Sequence, residues 1–238
     1  MSQVKERPIL FSAPMVRAIL EGRKTVTRRA LNERALKNIG YGVQLGECHE
    51  LPTEGPLHPN SIGYYTDFCP FGQPGDRLYV RETFNRTNPG GADGVYYYRA
   101  DGGFPKSIGG GTFTDAESWK PSIHMPRIAS RILLEITDVR VERLQEISDE
   151  QSIAEGCFFT DYGRKCFHGG RGVRDATECE YPDAKHDLRE GWMWDKTTSH
   201  EQCLGAPRWA FANLWNSTGG SWDANPWVWS ISFKRVMP

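Results

Sequence analysis

Apolar positions in the first thirty residues fall into two short runs with different periods. Pro8 to Phe11 is a continuous apolar run of strand length, and Met15, Val16, Ile19 and Leu20 then recur along one helical face. Ser12 stands where it can cap that helix, Pro14 falls in its first turn where a missing N–H costs nothing, and Gly22 closes it. A turn crowded with Arg23, Lys24, Thr25, Thr27, Arg28 and Arg29 is expected next. From Asn32 to Gly72 glycine and proline interrupt a polar stretch with scattered aromatic anchors (Tyr41, Tyr64, Tyr65, Phe68), which predicts a long loop excursion. Order returns at Pro74-Gly75-Asp76, a turn. Beyond it Leu78, Val80 and Glu82 alternate with Tyr79, Arg81 and Thr83 as in a strand. Val95 to Ala100 predicts another strand, and Gly102 to Thr114 holds too many glycines for a packed element.

The second half repeats the contrast. Arg131 to Val141 is the clearest strand: Ile132, Leu134 and Ile136 share one side, and the apolar side then switches to Val139 and Val141, which predicts a bulge near Thr137 and Asp138. Ser148-Asp149-Glu150-Gln151 is a capping box opening a short helix that Gly156 ends. Phe158 to Gly205 shows no sustained period and is expected to form a lid or small lobe. Pro207 to Asn216 predicts a helix packed through Trp209, Phe211, Leu214 and Trp215. In the final strand, Trp227, Trp229, Ile231 and Phe233 alternate with Val228, Ser230 and Ser232.

Composition fits a globular protein: 238 residues, 38% hydrophobic and 25% charged, with no run of membrane-span length. No apolar signal region opens the chain, so a cytoplasmic location without a membrane is the expectation, and the sequence implies no protein partner. The net charge of −1 conceals an asymmetry, because Arg17 to Lys37 holds seven basic residues against Glu21 and Glu33. That stretch suits a phosphate-bearing ligand, and it is equally what a solvated basic face looks like. The six cysteines lack any C-x-x-C pair. Cys157, Cys166, His168, Cys179 and Cys203 make the best metal-like cluster, and Cys48-His49 with Cys69 a weaker one, but their spacing matches no common module, so neither a metal nor another cofactor is expected.

Gly22-Arg23-Lys24-Thr25-Val26-Thr27-Arg28-Arg29 resembles the G-R-K-T-x-T-x-R signature of the ASCH domain family, within the PUA-like superfamily of small β-barrels. Pro74-Gly75-Asp76-Arg77-Leu78-Tyr79-Val80 resembles the family's P-G-D-x-L-x-V segment. The strand Ile132 to Val141, the helix Ser148 to Glu155 and the closing strand Trp227 to Val236 follow in the family's order, in a form most like its larger bacteriophage and prophage members. The resemblance implies an α+β fold: one elaborated domain over 1–238, a small PUA-like β-barrel with flanking short helices. Its core elements are placed at about 7–31, 73–100, 119–156 and 207–238, with long insertions at about 32–72, 101–118 and 157–206.

Some ASCH proteins are amidohydrolases that remove the acyl group from N4-acetylcytidine with a lysine, a threonine and a glutamate. Carried over by motif, these fall on Lys24, Thr27 and Glu155. The chemistry is coherent: a threonine hydroxyl needs a base to take its proton, and the leaving cytosine amine needs an acid. Arg23, Arg28, Arg29, Glu82, Trp119, His124 and Arg127 are candidate substrate-binding residues around a nucleoside or RNA ligand. Trp119 to Arg127 joins a stacking surface, cations and a histidine in a proline-constrained segment. Each has a plainer reading: Lys24 and Thr27 can hold a turn, Glu82 can be an exposed strand end, and Glu155 can pair with an arginine. A non-catalytic RNA or modified-base binding module is the alternative function, and a ribonuclease using Lys24 and His124 a third. The discriminating feature is a closed nucleoside-sized cavity against an open basic groove.

Overall fold

The computed structural model describes residues 4–87, 94–104, 107–108, 111–112, 119–166, 174–175, 179, 181 and 186–237. Of the glycine-rich stretch from Gly102 to Thr114, six of the thirteen residues lie outside them. The class is α+β, and the chain divides into two compact units, Met1–Glu146 with Asn225–Pro238, and Ile147–Ala224. No helix among the described residues is long and apolar enough to cross a membrane.

In the first unit, strand β1 (Glu6–Leu10) leads into helix α1 (Ala13–Leu20), which buries Val16, Ala18 and Ile19. Pro14 sits in the first turn of α1 as expected, while Ser12 occupies the cap position without a side-chain cap bond. Gly22 follows at φ +76°, a left-handed conformation that glycine adopts without a steric penalty. The basic segment beyond it is strand β2 (Val26–Ala30), where the sequence suggests a turn.

Residues 32–72 are not a loop excursion. Helix α2 (Glu33–Gln44) forms there, with the Asn32 side chain accepting from the Ala35 N–H and Ala35 and Ile39 facing the core, and helix α3 (Ile62–Asp67) follows, burying Tyr65. Two glycines within α2 hide its period. A Cβ at Gly42 would run into the Tyr64 ring and force it to shift, whereas Gly40 faces open space.

Strand β3 (Arg77–Arg81) starts after the Pro74-Gly75-Asp76 turn, in which the Asp76 carboxylate accepts from the Lys5 and Gln73 N–H groups. Strands β4 (Phe84–Thr87) and β5 (Val95–Tyr98) form a hairpin, and β6 (Ser107–Ile108) pairs with β7 (Gly111–Thr112). Strand β8 (Leu133–Arg143) carries the expected bulge: its register with the final strand jumps from Asp138 opposite Ser232 to Ile136 opposite Phe233, skipping Thr137.

The second unit holds α4 (Asp149–Ala154), β9 (Phe158–Cys166), β10 (Arg174–Asp175), β11 (Asp187–Met193) and α5 (Pro207–Ser217). The capping box of α4 is complete, with Ser148 accepting from the Gln151 N–H and the Gln151 side chain accepting from the Ser148 N–H. The aperiodic stretch after it forms a three-stranded antiparallel sheet in the order β10-β9-β11. Phe211, Leu214 and Trp222 make an apolar cluster beside it.

Returning to the first unit, β12 (Trp227–Val236) completes a five-stranded sheet in the order β1-β3-β8-β12-β2. The core of this unit gathers on one face, with Ile9, Phe11, Leu78, Val80, Leu134, Ile136, Trp229, Ile231 and Phe233 all buried. The hydrogen-bonded ladder is open among the described residues, with β1 and β2 at its edges, yet Arg29 of β2 donates to the Leu10 carbonyl of β1 at 2.6 Å. Five strands laid flat would set those edges about 19 Å apart. A side chain spans them because the sheet is strongly curled.

Two substitutions in α2 separate packing from propensity. Gly40→Ala is expected to raise stability by about 0.5–1 kcal/mol, and Gly42→Ala to lower it by about 1–3 kcal/mol through the clash with Tyr64. Denaturant unfolding of both variants checks this. Equal stabilisation by the two would refute the packing account.

Candidate functional site

The curl of the first unit concentrates charge beneath an aromatic ring. Strand alternation places Thr27 opposite Ile231 and Arg29 opposite Trp229, on the face that carries the core. Thr27 is 3% exposed. Lys24, just before the strand, is 2% exposed; its backbone N–H donates to the Ala18 carbonyl and its ammonium to the Val26 carbonyl at 2.8 Å. The Lys24 Nζ lies 5.7 Å from the centre of the Phe11 ring, and the Arg29 guanidinium lies 5.2 Å from the same centre. Phe11 is thus a shared cation-π surface for two residues of the basic segment.

Arg28 points the other way. It is paired with Ser230 in the ladder, its side chain is fully buried, and it bonds to Glu142 at 2.5 Å. Arg23 forms a surface pair with Glu21 at 2.5 Å.

Glu82 continues the inward parity of Leu78 and Val80 and is 1% exposed, so the exposed strand-end reading does not hold for it. It adjoins Phe11 in the chain's geometry, because the Phe11 N–H donates to the Arg81 carbonyl. Arg131 grips Glu82 with two bonds of 2.9 and 3.1 Å and holds Asp101 with two more of 2.7 and 2.8 Å. The guanidinium also stacks 3.9 Å from the centre of the Tyr98 ring. Burial pushes the Glu82 carboxyl above its ordinary range, and the bonds from Arg131 pull it part of the way back. A carboxylate clamped this way accepts hydrogen bonds and fixes Arg131 in place. Phe11, Asp101 and Arg131 are the participants that local sequence patterns leave unmarked.

The chain matches no family model, no curated protein and no solved structure.

The Trp119–Arg127 segment is tied to the hairpin by paired backbone bonds between Lys120 and Phe84. Trp119 is half-buried, edge-on to Phe104 at 5.5 Å. Met125 is buried beneath Phe84, with its sulfur accepting from the Glu82 N–H. His124 is exposed in a short turn, and Arg127, also exposed, pairs with Glu6 at 2.9 Å and lies over the Tyr79 ring.

Glu155 belongs to the second unit, where it is 3% exposed at the C-terminal cap of α4, its N–H donating to the Gln151 carbonyl. The same unit holds a group able to ligate a metal: one donor atom from each of Cys166, Cys179 and His186, all within 4.8 Å of one another. Of the cysteines and histidines singled out in the sequence, Cys166 and Cys179 come together, whereas His168 lies outside the described residues. His186 takes part without any local motif to announce it.

The Glu82–Arg131 pair makes a pH-dependent prediction. Folded Glu82 holds its proton more tightly than the unfolded residue does. Its contribution is therefore fully present below the ordinary glutamate pKa and is lost as pH rises through the raised value. Arg131→Met removes the attraction that offsets burial and widens that loss. The variant is expected to be less stable than wild type by on the order of 3 kcal/mol at neutral pH, with the deficit shrinking as pH falls toward the ordinary glutamate range. Thermal melts across pH check it, and a pH-independent deficit would remove Glu82 as the cause.

Proposed function

We propose that this protein is an ASCH-type amidohydrolase that removes the acyl group from N4-acylated cytidine or a related modified base. The observation that carries the reading is the burial of Lys24 with Thr27 on the inner face of the curled sheet. Burying an amine is costly, and a buried amine in the same segment as a buried threonine hydroxyl supplies the pair of groups that base-assisted attack by a threonine needs. The strand–helix–strand order of the opening segment and the curl that brings β1 to β2 support the PUA-like reading of the fold.

In this reading the Lys24 amine, in its neutral form, takes the Thr27 hydroxyl proton as the oxygen attacks the acyl carbon. The bond from that carbon to cytosine N4 then breaks, and the nitrogen takes a proton as it leaves. Water cleaves the resulting Thr27 ester, which releases the carboxylic acid and restores the hydroxyl. The family resemblance gives the protonation of the amine to Glu155. Arg29 and Phe11 form the electropositive and aromatic wall beside the nucleophile.

The alternative of an open phosphate-reading groove is weakened by ion pairs inside the chain. Arg23, Arg28 and Arg127 each face a carboxylate, from Glu21, Glu142 and Glu6 respectively. Arg23 and Arg28 belong to the basic stretch of the sequence, and Arg28, the buried one, is turned toward a carboxylate rather than toward a ligand groove.

Purified protein incubated with N4-acetylcytidine is expected to release cytidine. Lys24→Ala and Thr27→Ala should each lower turnover by about 100-fold or more, and Glu155→Gln should lower kcat more than it changes KM. A folded wild type that binds the nucleoside without turnover would replace hydrolysis by modified-base binding.

A further inference from the structure

We infer that Cys166, Cys179 and His186 of the second unit constitute a zinc site. The three donor atoms lie within 4.8 Å of one another, with Cys166 and His186 buried and Cys179 half-buried. Tetrahedral zinc with thiolate and imidazole ligands needs donor separations of about 3.5–3.8 Å, set by bonds of about 2.3 Å to sulfur and about 2.0–2.1 Å to nitrogen. The group is thus about an ångström from the bound geometry, a distance that side-chain rotation covers.

The sheet register brings two of the ligands together. Asp187 lies opposite Lys165 in the antiparallel ladder of β11 and β9, so the next position places His186 opposite Cys166. Directly opposed residues share a face, with their Cβ atoms about 4.5–5.5 Å apart. On its other side, Cys166 is opposite Arg174 of β10. Cys179, in the connection from β10 to β11, is the third donor, so the site ties the end of the sheet to that connection.

Backbone contacts orient the Cys179 sulfur: it accepts from the Tyr181 N–H at 3.3 Å, and its thiol donates to the Tyr181 carbonyl at 3.5 Å. Two thiolates and a neutral imidazole also balance the charge of a divalent ion, which lets the site be buried. The donor softness selects zinc over magnesium or calcium, which take oxygen ligands. All six cysteines of the chain are thiols, with no disulfide among them. This site is independent of the hydrolase reading.

The test uses the full chain, reduced and stripped with a chelator, then titrated with Zn2+ or Co2+. One ion is expected per chain. The Co2+ form should show thiolate-to-metal charge transfer in the near ultraviolet together with the visible bands of a tetrahedral site. Cys179→Ser, outside the strands, should lose the charge-transfer intensity contributed by that sulfur and weaken Zn2+ retention while the circular dichroism of the fold persists. His186→Ala should also weaken retention, whereas Cys203→Ser should change neither stoichiometry nor spectrum. A folded, fully reduced wild type that binds no Co2+ through sulfur would overturn the site. Unchanged metal content and spectrum in a folded Cys166→Ser/Cys179→Ser variant would do the same, as would isolation of the chain with a Cys166–Cys179 disulfide and no metal uptake after reduction.

Discussion

The first unit depends on a closure constraint: the two edges of its sheet belong to strands that are consecutive in sequence. β1 ends at Leu10 and β2 begins at Val26, joined through an eight-residue helix of about 12 Å and two short connections. The curl of the sheet brings these two edges within side-chain reach. The skipped Thr137 in β8 bends the central β8–β12 pair, and Arg29 then reaches the Leu10 carbonyl across the gap. Phe11, the first residue past β1, packs 6.3 Å from Phe233 of β12 and receives the cations of Lys24 and Arg29. The candidate site is where the sheet comes round on itself, and its chemistry follows from the same contacts that hold the curl.

Charge inside this unit is managed by alternation. Arg28 and Arg29 are adjacent in the chain, so in a strand they must leave on opposite faces. One meets the Glu142 carboxylate and the other a backbone carbonyl and an aromatic ring. The buried Glu82 is met by Arg131, which is in turn anchored by Asp101 and Tyr98. Removing one member of such a set leaves another charge stranded in low dielectric, which is why these groups matter more than their surface counterparts. Lys24 differs from the arginines in carrying a compact ammonium on a flexible stem, where arginine presents a planar fork.

What could be read from the sequence was local. The capping box at Ser148, the end of α1 at Gly22, the bulge near Thr137 and the whole of β12 each follow from residues a few positions apart. What could not be read was non-local or masked by packing. Helix α2 escaped because Gly40 and Gly42 look like breakers, and the crowding at Gly42 appears only once Tyr64 lies against it. The sheet of β9 to β11 escaped because its strands show no sustained alternation, and β11 buries only Gly191 and Met193. The fate of Glu82 was undecidable without Arg131, forty-nine positions away. The same holds for the pairing of Cys166 with His186, which no spacing rule proposes and which the register of two strands creates.

The second unit raises a different question of stability. It comprises residues 147–224, a size at which one small apolar core gives limited support. Its apolar residues gather around α5, where Phe211, Leu214 and Trp222 are buried, and Trp194, just past the end of β11, donates to Asn213 of that helix. Met193 pairs with Phe158 at this end of the sheet. Cys166 lies at the other end of β9, eight residues and about 27 Å along the strand, beyond the reach of that core. A sheet held at one end by hydrophobic contact frays at the other unless something binds its strands together. Two thiols and an imidazole from three segments meet at that far end, where metal coordination would fix the strands without requiring more apolar surface.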